Sequence, residues 1–383
     1  MRIAIITESF PPDVNGVANS VVRVAEHLVA RGHRPLVIAP APESTTRGVT
    51  GAHPYPVVRI GSVPLPGYRG FRLGVPGARL TDALVSHAPD VLHLASPFLA
   101  GARGVALAGR HRLPTVAVYQ TDVAAYLRHY RGLGWGEATV WAWLRTIHNG
   151  ADRTLAPSAT AAADLTAHGI RAVRRWGRGV DASRFDPRKR SDAVRRALAP
   201  GGEVLVGYVG RLAAEKRLDL LAATSRLPGV RLVVIGDGPA RREAERALPD
   251  AAFLGVRGGE QLARLFASLD VFVHAGPYET FCQSVREAQA SGVPVVAPAA
   301  GGPLDLVTPG VDGVLVPPGD GAAIAGAVAA LAADPERRRA YGVSGRAAVD
   351  GHTWAAVGDE LIGHYREVLA GRAAAPRRVA VAA

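Results

Sequence analysis

Apolar residues along this chain fall in short unbroken runs, each closed by a Gly/Pro-rich turn and mostly followed by an apolar repeat at helical spacing. Ile3–Thr7 reads as a first strand, and the loop ESFPPDVNG leads into a helix from Val17 to about Ala30. On that helix Val17, Val21, Ala25, Leu28 and Val29 share a face, and Gly32 ends it. Leu36–Ala39, Val91–Leu94 and Thr115–Tyr119 read as further strands. Continuous apolar strands separated by helices predict a parallel sheet covered on both faces. Charge, Pro and Gly take over between about Gly177 and Gly202, where an inter-domain link is expected. The alternation then restarts with Val204–Val209, Arg231–Ile235, Ala252–Leu254, Val271–His274, Val293–Ala297 and Val314–Val316. The economical reading is an α/β chain of two doubly wound, Rossmann-like domains. Ligands of such sheets bind beyond the carboxyl ends of the strands, so the substrate is expected in the cleft between the halves. A last amphipathic stretch carries Trp354, Val357, Leu361, Tyr365 and Val368. The small-residue tail, 372–383, is expected to be disordered.

Composition narrows the classes. A chain of 383 residues, 48% of them hydrophobic, supplies core for two ordinary domains. No run of about 18 apolar residues predicts a membrane-spanning helix. MRIAIITESF passes straight from a short apolar run into an acidic, Pro-rich loop, unlike a signal peptide. The single cysteine, Cys282, excludes an intramolecular disulfide and a cysteine metal cluster, which fits the cytoplasm. The net charge of +12 is lopsided: residues 1–180 hold 20 Arg against 10 Asp and Glu, and the remainder 25 Lys and Arg against 23. The first half therefore suits an anionic partner. Its arginines are scattered singly with no recognition module, which disfavours nucleic acid. Peripheral contact with an anionic lipid surface fits better. The loop PLPGYRGFRLGVPG, with Tyr68, Arg69, Phe71 and Arg72, is the candidate contact; ordinary surface packing is the competing reading. Of 45 basic residues only Lys189 and Lys216 are lysines. Lys189 sits in the charged linker PRKRSD. Lys216 sits in GRLAAEK and stands out.

Three segments that follow strands carry chemistry. Gly16 precedes the first helix and would let backbone N–H groups approach a phosphate. Arg211 and Lys216 are five apart across a strand-to-helix turn, so a guanidinium fork and a compact ammonium could meet one diphosphate. In VFVHAGPYETFCQSVREAQASGVPVVAP, Glu279 and Glu287 are eight apart. With Glu279 near the helix start and Glu287 two turns in, the carboxylates would stand roughly 12 Å apart, enough to span a sugar nucleotide from hexose to ribose. LVVIGDGPARREAE imitates a dinucleotide fingerprint, but Arg241 occupies the place of the third glycine. There is no Asp-x-Asp-like pair for a metal-bound diphosphate and no HExxH for zinc.

These segments carry a resemblance. From ITESFPPDVNGVANSV through DVLHLASP, AVYQTDVAAY, RTLAPS, WGRGVD and VGRLAAEK to ETFCQSVREAQASGVPVVAPAAGGP, the chain resembles retaining glycosyltransferases of the GT-B fold in family 4. Within that family it resembles bacterial GDP-mannose-dependent lipid α-mannosyltransferases of the phosphatidylinositol mannosyltransferase type. The resemblance implies two Rossmann-like domains facing a central cleft: residues 1–180 with 353–371 on the acceptor side, and 181–352 for the sugar nucleotide. By the same resemblance Arg211 and Lys216 would hold the diphosphate and stabilise the leaving group. Glu287 would bind the ribose, and Glu279 the donor-sugar hydroxyls near the anomeric carbon. Backbone amides around Phe281, Cys282 and Gln283 would contact the sugar, Gly255–Arg257 would read the base, and Gly16 would close over the phosphates. No cofactor and no metal are implied; the partners are a sugar nucleotide donor and a lipid or glycolipid acceptor. One departure is YQTD, where such enzymes often place a histidine and this chain has Gln120. Asp122 could then orient or deprotonate the acceptor hydroxyl, or simply cap a helix.

The expected reaction is transfer of mannose with retention by front-face attack. A UDP-sugar donor remains open, because nothing in GVRG separates guanine from uracil. A sugar-nucleotide epimerase lacks recognisable acid and base groups here. A basic membrane- or nucleic-acid-binding protein is the non-enzyme alternative, and the near-neutral but chemically organised second half speaks against it.

Overall fold

A computed structural model describes residues 1–13, 15–43, 53–65, 72–121 and 136–374. In the first half the strands are β1 (Arg2–Ile6), β2 (Arg34–Pro40), β3 (Val57–Ile60), β4 (Ser62–Pro64), β5 (Arg72–Gly74), β6 (Val91–Leu94), β7 (Thr115–Val118), β8 (Arg153–Ala156) and β9 (Val173–Arg175). Seven of them make one parallel sheet in the order β3-β2-β1-β6-β7-β8-β9, while β4 and β5 pair as an antiparallel hairpin. The second half contributes β10 (Val204–Val209), β11 (Val230–Ile235), β12 (Ala252–Gly255), β13 (Val271–Val273), β14 (Val295–Pro298) and β15 (Gly313–Val316). These form a six-stranded parallel sheet, β12-β11-β10-β13-β14-β15.

The alternation of side chains explains why the strands read as unbroken apolar runs. On β1, Ile3 and Ile5 enter one core cluster while Ala4 and Ile6 enter another on the opposite face. On β10, Leu205 and Val209 face one core and Val206 and Tyr208 the other. Helices cover both faces of each sheet, so most positions on the central strands are apolar. In both sheets the strand order reverses at the first strand of the half, β1 and β10, and the loops leaving these strands open onto the cleft.

The expected link is more structured than its composition suggests. Asp192–Leu198 is a helix, and Val180, Phe185 and Ala199 pack into the core of the second sheet. Chain exit and return lie side by side. Val180 bridges Thr353, and a Cβ on Gly179 would fall 2.4 Å from the Trp354 nitrogen, so only glycine allows the crossing. The terminal helix, Trp354–Ala374, then packs on the first half: Val357, Leu361, Ile362, Tyr365 and Val368 join the cluster of Ile3 and Ile5. Trp176 Nε1 donates to Val357 O at 2.9 Å, and Tyr365 pairs with His93 at 2.6 Å. This helix runs three residues past the expected start of the tail at 372, and 375–383 lie outside the described residues. Strands β3, β8 and β9 and the β4–β5 hairpin were not foreseen, and the strand expected at Val293–Ala297 runs from Val295 to Pro298.

Candidate active site

β10 ends at Val209 and the chain turns through Gly210 into Arg211, which lines the cleft. This turn is locked to the turn after β11. Gly210 N donates to Ile235 O, Leu212 N to Asp237 O, and Ala240 N to Leu212 O, at 3.0, 3.0 and 2.9 Å. A Cβ on Gly236 would lie 1.9 Å from Gly210 O, and one on Gly238 2.2 Å from Leu212 O. The two glycines of GDG therefore exist to seat the Arg211 turn, which explains a fingerprint-like sequence without a dinucleotide site. Burial pulls the Arg211 guanidinium down, and Glu215 opposes it. Lys216 closes the single helical turn Ala214–Lys216 and donates to Glu279 Oε1 at 2.5 Å.

Glu279 corrects one expectation. The helix begins only at Gln283 and runs to Ala290, so Glu279 stands in the loop before it and the on-helix spacing to Glu287 does not apply. That loop is shaped from a distance. Gly302 N donates to Glu279 O at 2.7 Å, and Cβ atoms on Gly301 and Gly302 would strike Glu279 O at 2.4 Å and Phe281 O at 2.1 Å. Cys282 takes a left-handed φ of 74°, an uncommon conformation for a residue with a side chain, and so aims the 279–282 backbone along the cleft wall. Buried His274, at the end of β13, places Nε2 3.3 Å from Glu279 Oε1. Burial opposes charge on both groups. Even so, Lys216 and His274 hold the Glu279 carboxyl well below the usual carboxylate range, and Cys282 and Glu279 push the imidazole up to about 10. His274, Glu279 and Cys282 offer donor atoms within 4.8 Å of one another, with the Lys216 ammonium already on that carboxylate. Glu287, one turn into the helix, is pushed up to about 8 by burial, against the pull of Arg184 and Gln283.

From the first half, Asn15 caps the Gly16–Ala30 helix, its side chain accepting from Val17 N and Ala18 N, both at 3.0 Å. Gly16 lies against Arg178: a Cβ there would be 2.8 Å from Nη1. Arg178, which the sequence did not single out, donates to Gly16 O at 3.2 Å and to Gln120 Oε1 at 2.9 Å. Gln120 in turn accepts from Thr280 Oγ1 at its backbone oxygen, at 3.1 Å. Gln283 Nε2 donates to Gly179 O at 3.1 Å.

The cleft, about 880 Å³, is thus lined by Gly16, Gln120, Arg211, Lys216, Arg257, Glu279, Phe281, Cys282, Gln283 and Glu287 together. Arg72 is not among them; it opens β5 and donates to Ser62 Oγ at 2.8 Å and Ser62 O at 3.0 Å. Asp122, Tyr68, Arg69 and Phe71 lie outside the described residues. Lys189 pairs with Glu260 at 2.7 Å, as a solvated linker lysine would. The missed contributors are Arg178 and His274. Scarcity, the signal that singled out Lys216, is absent for both in a chain with 43 arginines and 12 histidines.

Two parallel-sheet domains facing such a cleft make the GT-B architecture. The sucrose-phosphate synthase of Thermosynechococcus elongatus shares it, with a TM-score of 0.81 at 23% identity over 97% of this chain and 99% of that one. Profiles described as Glycosyltransferase Family 4 and Glycosyl transferases group 1 match residues 14–184 and 190–348. The chain is 48% identical to a GDP-mannose-dependent alpha-mannosyltransferase of Mycobacterium tuberculosis, over 96% of this chain and 97% of the relative. It is 44% identical to one of the same name from Corynebacterium glutamicum, over 97% and 90%. The chain belongs to glycosyltransferase family 4.

Proposed function

We propose that this enzyme transfers mannose from GDP-mannose to a hydroxyl of a lipid or glycolipid, with retention and without a metal ion. The observation that carries the reading is the arrival of Arg211, Lys216, Glu279 and Glu287 in one cleft from separate segments of the chain. Arg211 and Lys216 hold the diphosphate; the ammonium and guanidinium neutralise the charge that grows on the leaving group, as a divalent ion would elsewhere. Glu279, fixed by Lys216, accepts hydrogen bonds from donor-sugar hydroxyls, and Glu287 accepts from the ribose. Its engagement by Lys216 and His274 supports a hydrogen-bond-acceptor role for Glu279 over a covalent one, and so favours front-face attack by the acceptor hydroxyl. Arg257 stands at the base end, Gly16 closes over the phosphates, and Asp122 orients the acceptor. The guanine and mannose assignments rest on the relatives at 48% and 44% identity. The lipid assignment rests on the basic first half, 20 Arg against 10 acids, and on Tyr68, Arg69 and Arg72, which would bring it to an anionic membrane face.

The test is incubation of chelator-treated protein with labelled GDP-mannose, UDP-glucose or ADP-glucose and total membrane lipid. Label is expected in an α-linked lipid product from GDP-mannose alone, with full activity in EDTA. Transfer only from a UDP-sugar would replace the donor; loss of activity in EDTA restored by magnesium or manganese would overturn the charge scheme.

A further inference from the structure

Arg178 is a buried cation that touches no carboxylate among the described residues. It is 7% exposed, yet none lies within 4.0 Å of its guanidinium, and both groups it donates to, Gly16 O and Gln120 Oε1, are neutral. A guanidinium carries five N–H donors, and these bonds among the described residues use two. A buried unpaired charge is costly, and cores rarely keep one without a function. This one lines the cleft, between the Gly16 loop and the Glu279 loop. Burial pulls it down to about 10, and the nearby Glu279 carboxylate works against that, so it stays a cation at neutral pH beside the acid proposed to hold the donor sugar.

Its neighbour makes sense on the same view. Gln120 is itself 7% exposed; its Nε2 donates to Ala95 O at 3.3 Å, which fixes the amide and turns Oε1 to Arg178. A protonated histidine in this slot would repel the guanidinium. A neutral amide anchors it without neutralising it, which leaves the charge for a ligand. The backbone oxygen of Gln120 accepts from Thr280, so the pair is tied to the loop that carries Glu279.

We infer that Arg178 is a third phosphate ligand, reaching from the first half of the chain to a phosphate of the bound substrate and positioned by Gln120. The inference rests on the glycosyl-transfer reading above. The phosphate is the sugar-linked one of the donor diphosphate or a phosphate carried by the acceptor; the place beside Glu279 favours the donor.

Binding of GDP, GMP and guanosine by calorimetry, at one ionic strength, separates the cases in the intact protein and in R178M, R178K and Q120E. Q120E keeps the shape of the side chain and sets a carboxylate on the guanidinium, so it tests the idea even if R178M folds poorly. GDP is expected to bind ~10- to 100-fold more weakly to R178M and Q120E, with R178K in between, and GMP within ~3-fold of the unaltered protein. Unchanged GDP affinity together with a tenfold rise in the KM for acceptor alone would assign the same ligand role to an acceptor phosphate. Equal weakening of GDP, GMP and guanosine would mark Arg178 as structural, and unchanged nucleotide and acceptor parameters in all variants would leave it no ligand; either result overturns the inference. Failure of the unaltered protein to bind GDP would instead sink the glycosyl-transfer reading, and the inference with it.

Discussion

Replacing Glu287 with Gln is expected to stabilise the empty protein and weaken nucleotide binding at once. Burial in the cleft pushes this carboxyl from 4.5 to about 8. Between those two values the folded chain keeps a proton that the unfolded chain has released. Its contribution to stability is therefore fully present below about pH 4.5, falls as pH rises and is gone by about pH 8. At ~1.36 kcal/mol per pH unit the whole shift would be worth ~5 kcal/mol. Glu287 keeps partial contact with solvent, which discounts this to ~1–2 kcal/mol in a medium of effective dielectric ~20. At ~2–4 °C per kcal/mol for a half of this size, E287Q should melt roughly 2–8 °C above the unaltered protein at pH 8.5, with the gap closing towards pH 5. Glu8 is also raised, to about 7, by burial, so the parent will lose stability with pH on its account too, and the difference between the two proteins isolates Glu287.

The same substitution reads out the ligand. On the proposed function an ionised Glu287 accepts from two ribose hydroxyls when GDP binds, so binding near pH 7 should release a proton. Calorimetric enthalpies should then depend on the ionisation heat of the buffer in the parent and not in E287Q. GDP affinity should drop ~10- to 100-fold in the variant. Equal melting at pH 8.5 with unaltered proton release would refute the reasoning.

If Lys216 stabilises the leaving diphosphate as proposed, Lys216→Met should lower kcat by ~10²–10³ with little change in KM; a KM effect alone would assign it ground-state binding. Gly302→Ala puts a Cβ 2.1 Å from Phe281 O and should displace the 279–282 loop, costing at least tenfold in kcat/KM while circular dichroism stays unchanged. Tyr365→Phe strands buried His93 without its 2.6 Å partner and should cost ~1–3 kcal/mol in denaturant melts, with activity of the folded fraction retained.

How much of this was legible in the sequence depended on how local the cause was. Strands β1, β2, β6, β10 and β11 announced themselves because helices cover both faces and nearly all their side chains are apolar. β8 and β9 did not. Arg153, Arg174 and Arg175 interrupt the apolar run near the edge of the sheet, where one side of a strand meets solvent. Lys216 was visible through scarcity and Glu287 through its helix. Glu279 was visible as a residue but not as a position. The periodicity of VREAQA suggested a helix reaching back to it, whereas its loop is moulded by Gly301 and Gly302, over twenty residues later. Arg178 was invisible, one arginine among many, because only burial distinguishes it.

The arrangement also bears on how the donor sugar and the leaving group are coupled. Lys216 is bound to Glu279 at 2.5 Å before any ligand arrives, and an ammonium has three N–H donors, so it can keep that carboxylate and face a phosphate together. On the proposed chemistry, charge growing on the diphosphate draws the ammonium towards it and loosens its hold on Glu279. The carboxylate is then freer to strengthen its hydrogen bond to the sugar as the anomeric carbon becomes positive. The ion pair would thus answer both ends of the breaking bond with one small displacement. Glu279→Gln removes this coupling while leaving the hydrogen bond, so it should depress kcat further than its effect on GDP-mannose affinity, and by less in a Lys216→Met background than alone. Additive losses in that double variant would mean that the two residues act independently, and the pairing would then be structural.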